Sequence, residues 1–360
     1  MRPAWAAIDL KALQHNLRLL REKAGHRQLL AILKANAYGH GLTRIAAELQ
    51  QADAIGVARV DEALALRQEG IVKPIVLLEG FFEPSQLAVL AASQIQTVIH
   101  TEHQLVQLER AELNTPLKVW LKVDTGMHRI GVEPEETVAF YRRLQASDNV
   151  DGDPILMTHF ASADTPEVEQ NQQQLAVFNS LQDSLQARLS ISNSAAFLAD
   201  LAPQDNWVRP GLVLYGVSPF ADRRGQQLGL KPVMTLQASI ISTREIDQGE
   251  SVGYGAAWTA RHKTRIGILA IGYGDGYPRN APEGTPVWIE GRCYPLVGRV
   301  SMDMLAVDLG LDSDIEIGAT GVLWGPQLPV EEVAEHVGTI SHELLCNVAR
   351  RVVLDYGDEN

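Results

Sequence analysis

Residues 28–41, QLLAILKANAYGHG, set a lysine between an apolar run and a polar, glycine-containing elbow. The run up to Lys34 has the continuous apolar character of a strand buried on both faces of a parallel sheet. Asn36, Tyr38, Gly39 and Gly41 do not extend a strand comfortably, so the chain must turn there. Lys34 therefore stands at a strand's carboxyl end. Ligands of α/β proteins gather at that edge, which makes Lys34 a candidate for chemistry. The competing reading is a lysine snorkelling out at a strand end.

Working outward, residues 29–217 repeat the pattern. The short runs LLAILK, AIGVA, PIVLLEG, IQTVIH, LKVWLKVD, PILMTHF, LSISNS and GLVLYG number eight. Longer segments with helical period lie between them, among them RVDEALALRQEG, EPEETVAFYRRLQ and TPEVEQNQQQLAVFNSLQDSLQ. The last opens with Thr165 as a cap and Pro166 at the first helical position. Eight strands alternating with helices predict an α/β chain with an N-terminal (β/α)8, TIM-like barrel. Spacing alone leaves an open, doubly wound sheet as the alternative.

Upstream, Leu13, Leu17 and Leu20 predict an amphipathic helix. Beyond residue 230 the runs VMTLQASIISTREI, TRIGILAIG, GTPVWIEGRCYPLVG, MLAVDLG and EIGATGVLWG are separated by glycine turns, which predicts a mostly β C-terminal domain. A short helix is expected at PVEEVAEHVG, and the closing DYGDEN reads as a polar, frayed end. The boundary between Gly225 and Pro232 divides the chain into domains 1–228 and 229–360.

A chain of 360 residues can bury a large core, and 46% apolar with 21% charged residues is ordinary globular composition. The formal charge of -13 argues against a nucleic-acid backbone or an anionic membrane as partner. Only two cysteines, Cys293 and Cys346, argue against a disulfide scaffold and fit a reducing compartment. Asp9 and Lys11 break the N-terminal apolar run, unlike a secretory signal, and no apolar stretch is long enough to span a bilayer. A cytoplasmic protein is the expectation. The ten histidines form no recognised zinc pattern, so no metal is expected.

A barrel gathers its strand-end residues around one mouth. Lys34 ends the first run, Lys122, Asp124 and Arg129 follow the fifth, His159 ends the sixth, Asn193 and Ser194 end the seventh, and Arg209 precedes the eighth. SNSAAF could serve only as a helix cap, His159 could satisfy a core hydrogen bond, and Arg129 could sit in a surface ion pair. Functionally, the Ser194 hydroxyl and free backbone N–H groups suit a phosphate, and the Arg129 fork suits a carboxylate. A lysine, a phosphate nest and an arginine fit pyridoxal phosphate; a sugar-phosphate aldolase could use the same lysine and phosphate cup.

At this point the sequence resembles the alanine racemases. The likeness rests on AILKANAYGHG, KVDTGMHRIG at 122, THFASAD at 158, SNSAAF at 192 and RPGLVLYG at 209. SVGYGAAW at 251, GYGDGYPR at 272 and GRVSMDM at 298 extend it into the second domain. The resemblance implies a pyridoxal 5'-phosphate isomerase that interconverts L-alanine and D-alanine by two bases, for peptidoglycan or for alanine catabolism. It implies that Lys34 holds the cofactor as an internal aldimine and acts on D-alanine, with Tyr254 acting on L-alanine. Tyr38, Asn193, Ser194 and Gly211 would serve the cofactor's phosphate side, Arg209 would face the pyridine nitrogen, and His159 would border the ring. Arg129 and the Met302 backbone would bind the substrate carboxylate. Asp303 would support the opposite wall, and Tyr273 with Arg279 would narrow the entrance. Lys122 matches the family's carbamylated lysine, whose charge would orient Arg129. The resemblance also implies a homodimer in which each chain lends Tyr254 to its neighbour's barrel.

One departure lies in CNVARRV, residues 346–352, where some members carry a phosphate-bonding tyrosine and this chain has Arg350. Three rival readings share parts of this set. They are a decarboxylase of basic amino acids, a broad-specificity racemase, and a pyridoxal-phosphate carrier without activity.

Overall fold

A computed structural model describes residues 1–357. Its larger part is a ring of eight parallel strands: β2 (Gln28–Ile32), β3 (Ala54–Val57), β4 (Ile75–Leu77), β5 (Ile95–Ile99), β6 (Val119–Lys122), β7 (Ile155–Met157), β8 (Leu189–Ser190) and β9 (Trp207–Val208). Successive strands pair in order from β2 to β8, and β9 pairs back onto β2 with Gln28 opposite Trp207. Two backbone bonds close the remaining gap, Asn206 N–H to Leu189 O at 3.1 Å and Arg209 N–H to Ser192 O at 2.9 Å. The strands are apolar on both faces because helices cover the outside and side chains fill the ring, so that Leu30, Ile55, Val76 and Leu121 are all buried although they alternate between the two faces.

The helix Leu10–Ala24 buries Leu13, Leu17 and Leu20 as expected. Asp9 begins it by accepting the Ala12 N–H, and Gly25 ends it at a φ of 59°.

The sequence expectation misplaces the eighth barrel strand. GLVLYG contains no strand: Leu212–Tyr215 form a 3-10 turn that ends at Gly216, and the eighth strand is Trp207–Val208. All four turn residues are buried, so their apolar run is indistinguishable from a buried strand by hydrophobicity. Arg209 consequently follows the eighth strand, which puts it at the mouth with the others. Thr165 and Pro166 do not open the helix either, which begins at Glu169; the Asn171 amide instead donates to the carbonyls of Ser162, Thr165 and Pro166 and folds the preceding turn.

The second sheet collects β1 (Trp5–Ile8), β10 (Met234–Ile246), β13 (Thr264–Leu269), β14 (Pro286–Ile289), β15 (Arg292–Val297), β16 (Leu305–Asp308), β17 (Thr320–Trp324) and β18 (Val353–Asp355). The first strand of the chain thus lies in the C-terminal unit, antiparallel to β10 and parallel to β18. A division at residue 228 does not capture this N-terminal strand. β11 (Ser251–Val252) and β12 (Trp258–Thr259) form a separate hairpin. Helix Val330–Val337 packs beside β17, and helix Ser341–Cys346 packs on that helix and on the turn Lys34–Tyr38.

The end is not frayed as far as it is described. Asp355 belongs to β18, and the Tyr356 hydroxyl donates to the carbonyl of His40 at 2.9 Å. The remainder of DYGDEN, residues 358–360, lies outside the described residues. Among the described residues no helix is long and apolar enough to cross a membrane.

Candidate active site

The turn after β2 is left-handed. Ala35, Asn36, Ala37 and Tyr38 have φ values of 55°, 55°, 53° and 53°. Each non-glycine residue in that region costs about 1–2 kcal/mol, so packing must hold the turn in place. Lys34 opens it. Burial lowers the Lys34 pKa, and the Arg129 guanidinium lowers it further against the opposing pull of Glu79, Cys346 and Glu62. A larger share of the amine is therefore unprotonated, as a nucleophile or base requires.

Arg209 is buried at the end of β9 and acts only as a donor. Its Nη1 reaches Ser190 Oγ at 2.7 Å, and its Nη2 reaches Thr158 O at 2.7 Å, Ile191 O at 3.1 Å and His159 Nδ1 at 3.1 Å. Because the guanidinium donates, His159 Nδ1 accepts and its proton sits on Nε2. Burial and the charge of Arg209 push His159 far below the ordinary histidine range, so the ring is neutral. The Gln174 amide donates to the His159 carbonyl at 3.0 Å and fixes that loop.

Lys122 is buried at the end of β6. Burial and then Arg209, Arg129 and Lys34 push its pKa down to about 7, with Asp124 opposing them weakly. Among the described residues it has no hydrogen bond or ion pair. Asp124 shapes the loop that leads to Arg129: one oxygen accepts the N–H groups of Gly126, Met127 and His128 at 2.9–3.0 Å. Arg129 itself is exposed.

A second group gathers Tyr38, Asn193, Ser194 and Gly211. Asn193 caps the five-residue helix Ser194–Leu198 by accepting the Ala196 N–H, so the cap reading of SNSAAF holds for that residue. Ser194 Oγ accepts the Gly211 N–H at 2.9 Å. A Cβ on Gly211 would stand 2.5 Å from the Tyr38 hydroxyl, which only glycine permits. The Tyr38 ring is held between Tyr215, 4.8 Å away, and His342 at 5.8 Å. This polar cradle beside a lysine of lowered pKa and a buried arginine fits a phosphorylated aldehyde cofactor.

The second domain contributes less within this chain. Tyr254 sits in the 3-10 turn Tyr254–Ala256 between β11 and β12 and is 71% exposed. Met302, Asp303, Tyr273 and Arg279 are also exposed. Arg351 ties this group together, donating to Asp275 at 2.7 Å and to Asp303 at 2.8 Å, with the Met302 carbonyl at 3.4 Å. Tyr273 and Arg279 line a cleft of about 490 Å³ together with Tyr277, Glu343 and Asn347. Arg350 is exposed and forms no hydrogen bond or ion pair among the described residues.

The sequence matches the family described as alanine racemase, N-terminal domain, over residues 8–219, and alanine racemase, C-terminal domain, over residues 233–356. The chain belongs to the alanine racemase family. An alanine racemase from Vibrio parahaemolyticus is 52% identical over 356 residues, 99% of each chain. The crystal structure of a biosynthetic alanine racemase from Pseudomonas aeruginosa superimposes with a TM-score of 0.96 at 45% identity, covering 99% of this chain and 100% of that one. An Acinetobacter baumannii alanine racemase gives a TM-score of 0.93 at 39% identity, with 99% of both chains covered. The barrel and strand-rich domain are therefore those of an alanine racemase.

Sequence reading missed residues that hold this candidate site together. Ser190 and Thr158 lay inside quoted motifs but signalled nothing beyond strand ends. Asp205 is buried and binds the N–H groups of Ile191 and Ser192 at 2.7 and 2.8 Å, and burial raises its pKa to about 6. Arg351 lies in CNVARRV, a segment read only for Arg350, and His342 lies just before it. Their roles depend on contacts between distant parts of the chain.

Proposed function

We propose that this chain interconverts L-alanine and D-alanine, with pyridoxal 5'-phosphate as cofactor and Lys34 and Tyr254 as its two bases. The observation that carries the reading is the convergence of Lys34, buried Arg209 and the Tyr38–Ser194–Gly211 cradle at one barrel mouth. Bound there, pyridoxal phosphate supplies an electron sink for the charge left when a proton leaves the substrate α-carbon. Ser194 Oγ, the Gly211 N–H and the Tyr38 hydroxyl would hold its phosphate. Arg209 would face its ring nitrogen, with His159 and Ser190 keeping the guanidinium oriented. An arginine there discourages protonation of the ring nitrogen, which limits delocalisation and side reactions.

Racemisation moves a proton off one face of the α-carbon and onto the other, and one base does not readily reach both. Lys34 Nζ takes the proton of D-alanine, and Tyr254 Oη takes that of L-alanine. Arg129 and the Met302 backbone hold the carboxylate. Asp303, anchored by Arg351, supports the facing wall, while Tyr273 and Arg279 narrow the entrance and exclude water. Lys122, as a free amine of lowered pKa, adds to carbon dioxide with loss of one proton. The carbamate gives Arg129 an anionic partner.

Tyr254 is 71% exposed on its hairpin in the second domain. That arrangement supports a homodimer in which each barrel receives Tyr254 from the other chain. Two free cysteines fit a cytoplasmic location.

Chiral chromatography after incubation with L-alanine and pyridoxal phosphate tests the reading. D-alanine should form with the natural chain and be lost in Lys34→Ala and Tyr254→Phe. Cofactor binding without D-alanine would contradict it; a decarboxylase would then consume its amino acid, and a carrier would leave alanine Cα unexchanged in deuterated solvent.

A further inference from the structure

His40 belongs to the AILKANAYGHG stretch, yet nothing in the reaction uses it. It is completely buried, beside the left-handed turn that carries Lys34 and Tyr38. Its Nδ1 lies 3.1 Å from the Ala37 carbonyl and 2.8 Å from the Tyr38 carbonyl. Both partners only accept, so Nδ1 bears the proton and Nε2 is bare. Nε2 is buried with no hydrogen-bond partner. Burial also lowers the His40 pKa to about 4, so the ring stays neutral near neutral pH.

A core histidine needs no unpaired nitrogen, since an apolar side chain of similar volume avoids that penalty. What the imidazole uniquely supplies is one N–H shared by two carbonyls of a turn whose backbone conformation is unfavourable. Its ring also lies on Tyr215, with centroids 4.5 Å apart, and Tyr215 lies on Tyr38 at 4.8 Å. Tyr215 is anchored to the first barrel strand through its hydroxyl, which donates to Ile32 O at 3.0 Å. The His40 carbonyl in turn accepts from Tyr356. Side chain, ring face and backbone of His40 are each tied to a different part of the molecule.

We propose that His40 is a positioning residue of the phosphate subsite, holding the Ala37–Tyr38 end of the turn in the shape that aims the Tyr38 hydroxyl at Gly211. The proposal rests on the pyridoxal-phosphate reading above. It predicts that His40 matters for the phosphate of the cofactor and not for its ring.

The test titrates the full-length chain, freed of cofactor, with pyridoxal phosphate and with pyridoxal, which lacks the phosphate, following absorbance of the lysine-bound form. His40→Leu should weaken pyridoxal phosphate about tenfold, as loss of one well-placed polar contact does, and leave pyridoxal unchanged. His40→Asn should restore most of the loss, because its amide nitrogen takes the place of Nδ1. Tyr38→Phe should show the same loss, with no further loss on adding His40→Leu. Equal weakening of both compounds, His40→Asn no better than His40→Leu, or additive losses with Tyr38→Phe would overturn the proposal. Should His40→Leu not fold, His40→Asn against His40→Gln decides: only the first should keep the preference for the phosphorylated compound, and equal preference overturns the proposal. A natural chain that binds neither compound at Lys34 overturns the cofactor reading, and this proposal with it.

Discussion

Lys122 and Gly211 show how single residues set the chemistry. Burial and neighbouring cations hold Lys122 at about 7, below the ordinary lysine value of 10.5. The unfolded chain therefore binds more protons between those values, and this lysine's penalty is full below about 7 and fades as pH rises toward 10.5. Carbamate formation removes the same penalty. At pH 8, added bicarbonate should raise Tm and lower the KM for alanine in the natural chain, and Lys122→Met should show neither response; calorimetry and steady-state kinetics read both. Gly211→Ala would drive a Cβ against a Tyr38 ring already held by Tyr215 and His342. Overpacking of this kind costs about 1–3 kcal/mol, so cofactor affinity should fall by about tenfold or more in a pyridoxal phosphate titration.

At the scale of elements, the left-handed turn is the structural oddity. Ala35 is exposed at a φ of 55°, so its side chain contributes strain without packing. Ala35→Gly should leave stability unchanged or raise it by up to about 1 kcal/mol, whereas Ala35→Val should lower it by about 1 kcal/mol or more in urea unfolding. The elbow itself was legible, because Asn36, Tyr38 and two glycines cannot continue a strand. Its handedness was not, since three of its four residues are ordinary for right-handed structure and only tertiary contacts choose between the two. The same limit explains GLVLYG. An apolar run shows that a segment is buried and leaves its backbone path open, whereas the short apolar strands at Leu29, Ile55 and Leu121 were readable because helices recur between them. Lys34, His159 and Ser194 were legible as strand-end polar residues. Asp205, Gln174 and Arg351 were not, because their partners lie 13 to 76 positions away.

At the scale of the whole molecule, the two domains are stitched by contacts that local patterning does not reveal. β1 crosses into the second sheet, Tyr356 returns to His40, and the helix Ser341–Cys346 sets His342 against Tyr38. Tyr356→Phe should lower stability by about 0.5–1.5 kcal/mol, measured by urea unfolding, through the lost bond to His40. The barrel mouth supplies Lys34, yet Tyr254 stands exposed on a separate hairpin. The proposed site shared across a two-fold axis accounts for both facts, and it can be tested by complementation. Lys34→Ala and Tyr254→Phe chains, each inactive alone, are unfolded together in equal amounts, refolded and assayed for D-alanine. Random pairing makes half the dimers mixed, each with one intact site, so about one quarter of natural activity should return. Activity no greater than the sum of the two separate variants would contradict a two-base site built from both chains.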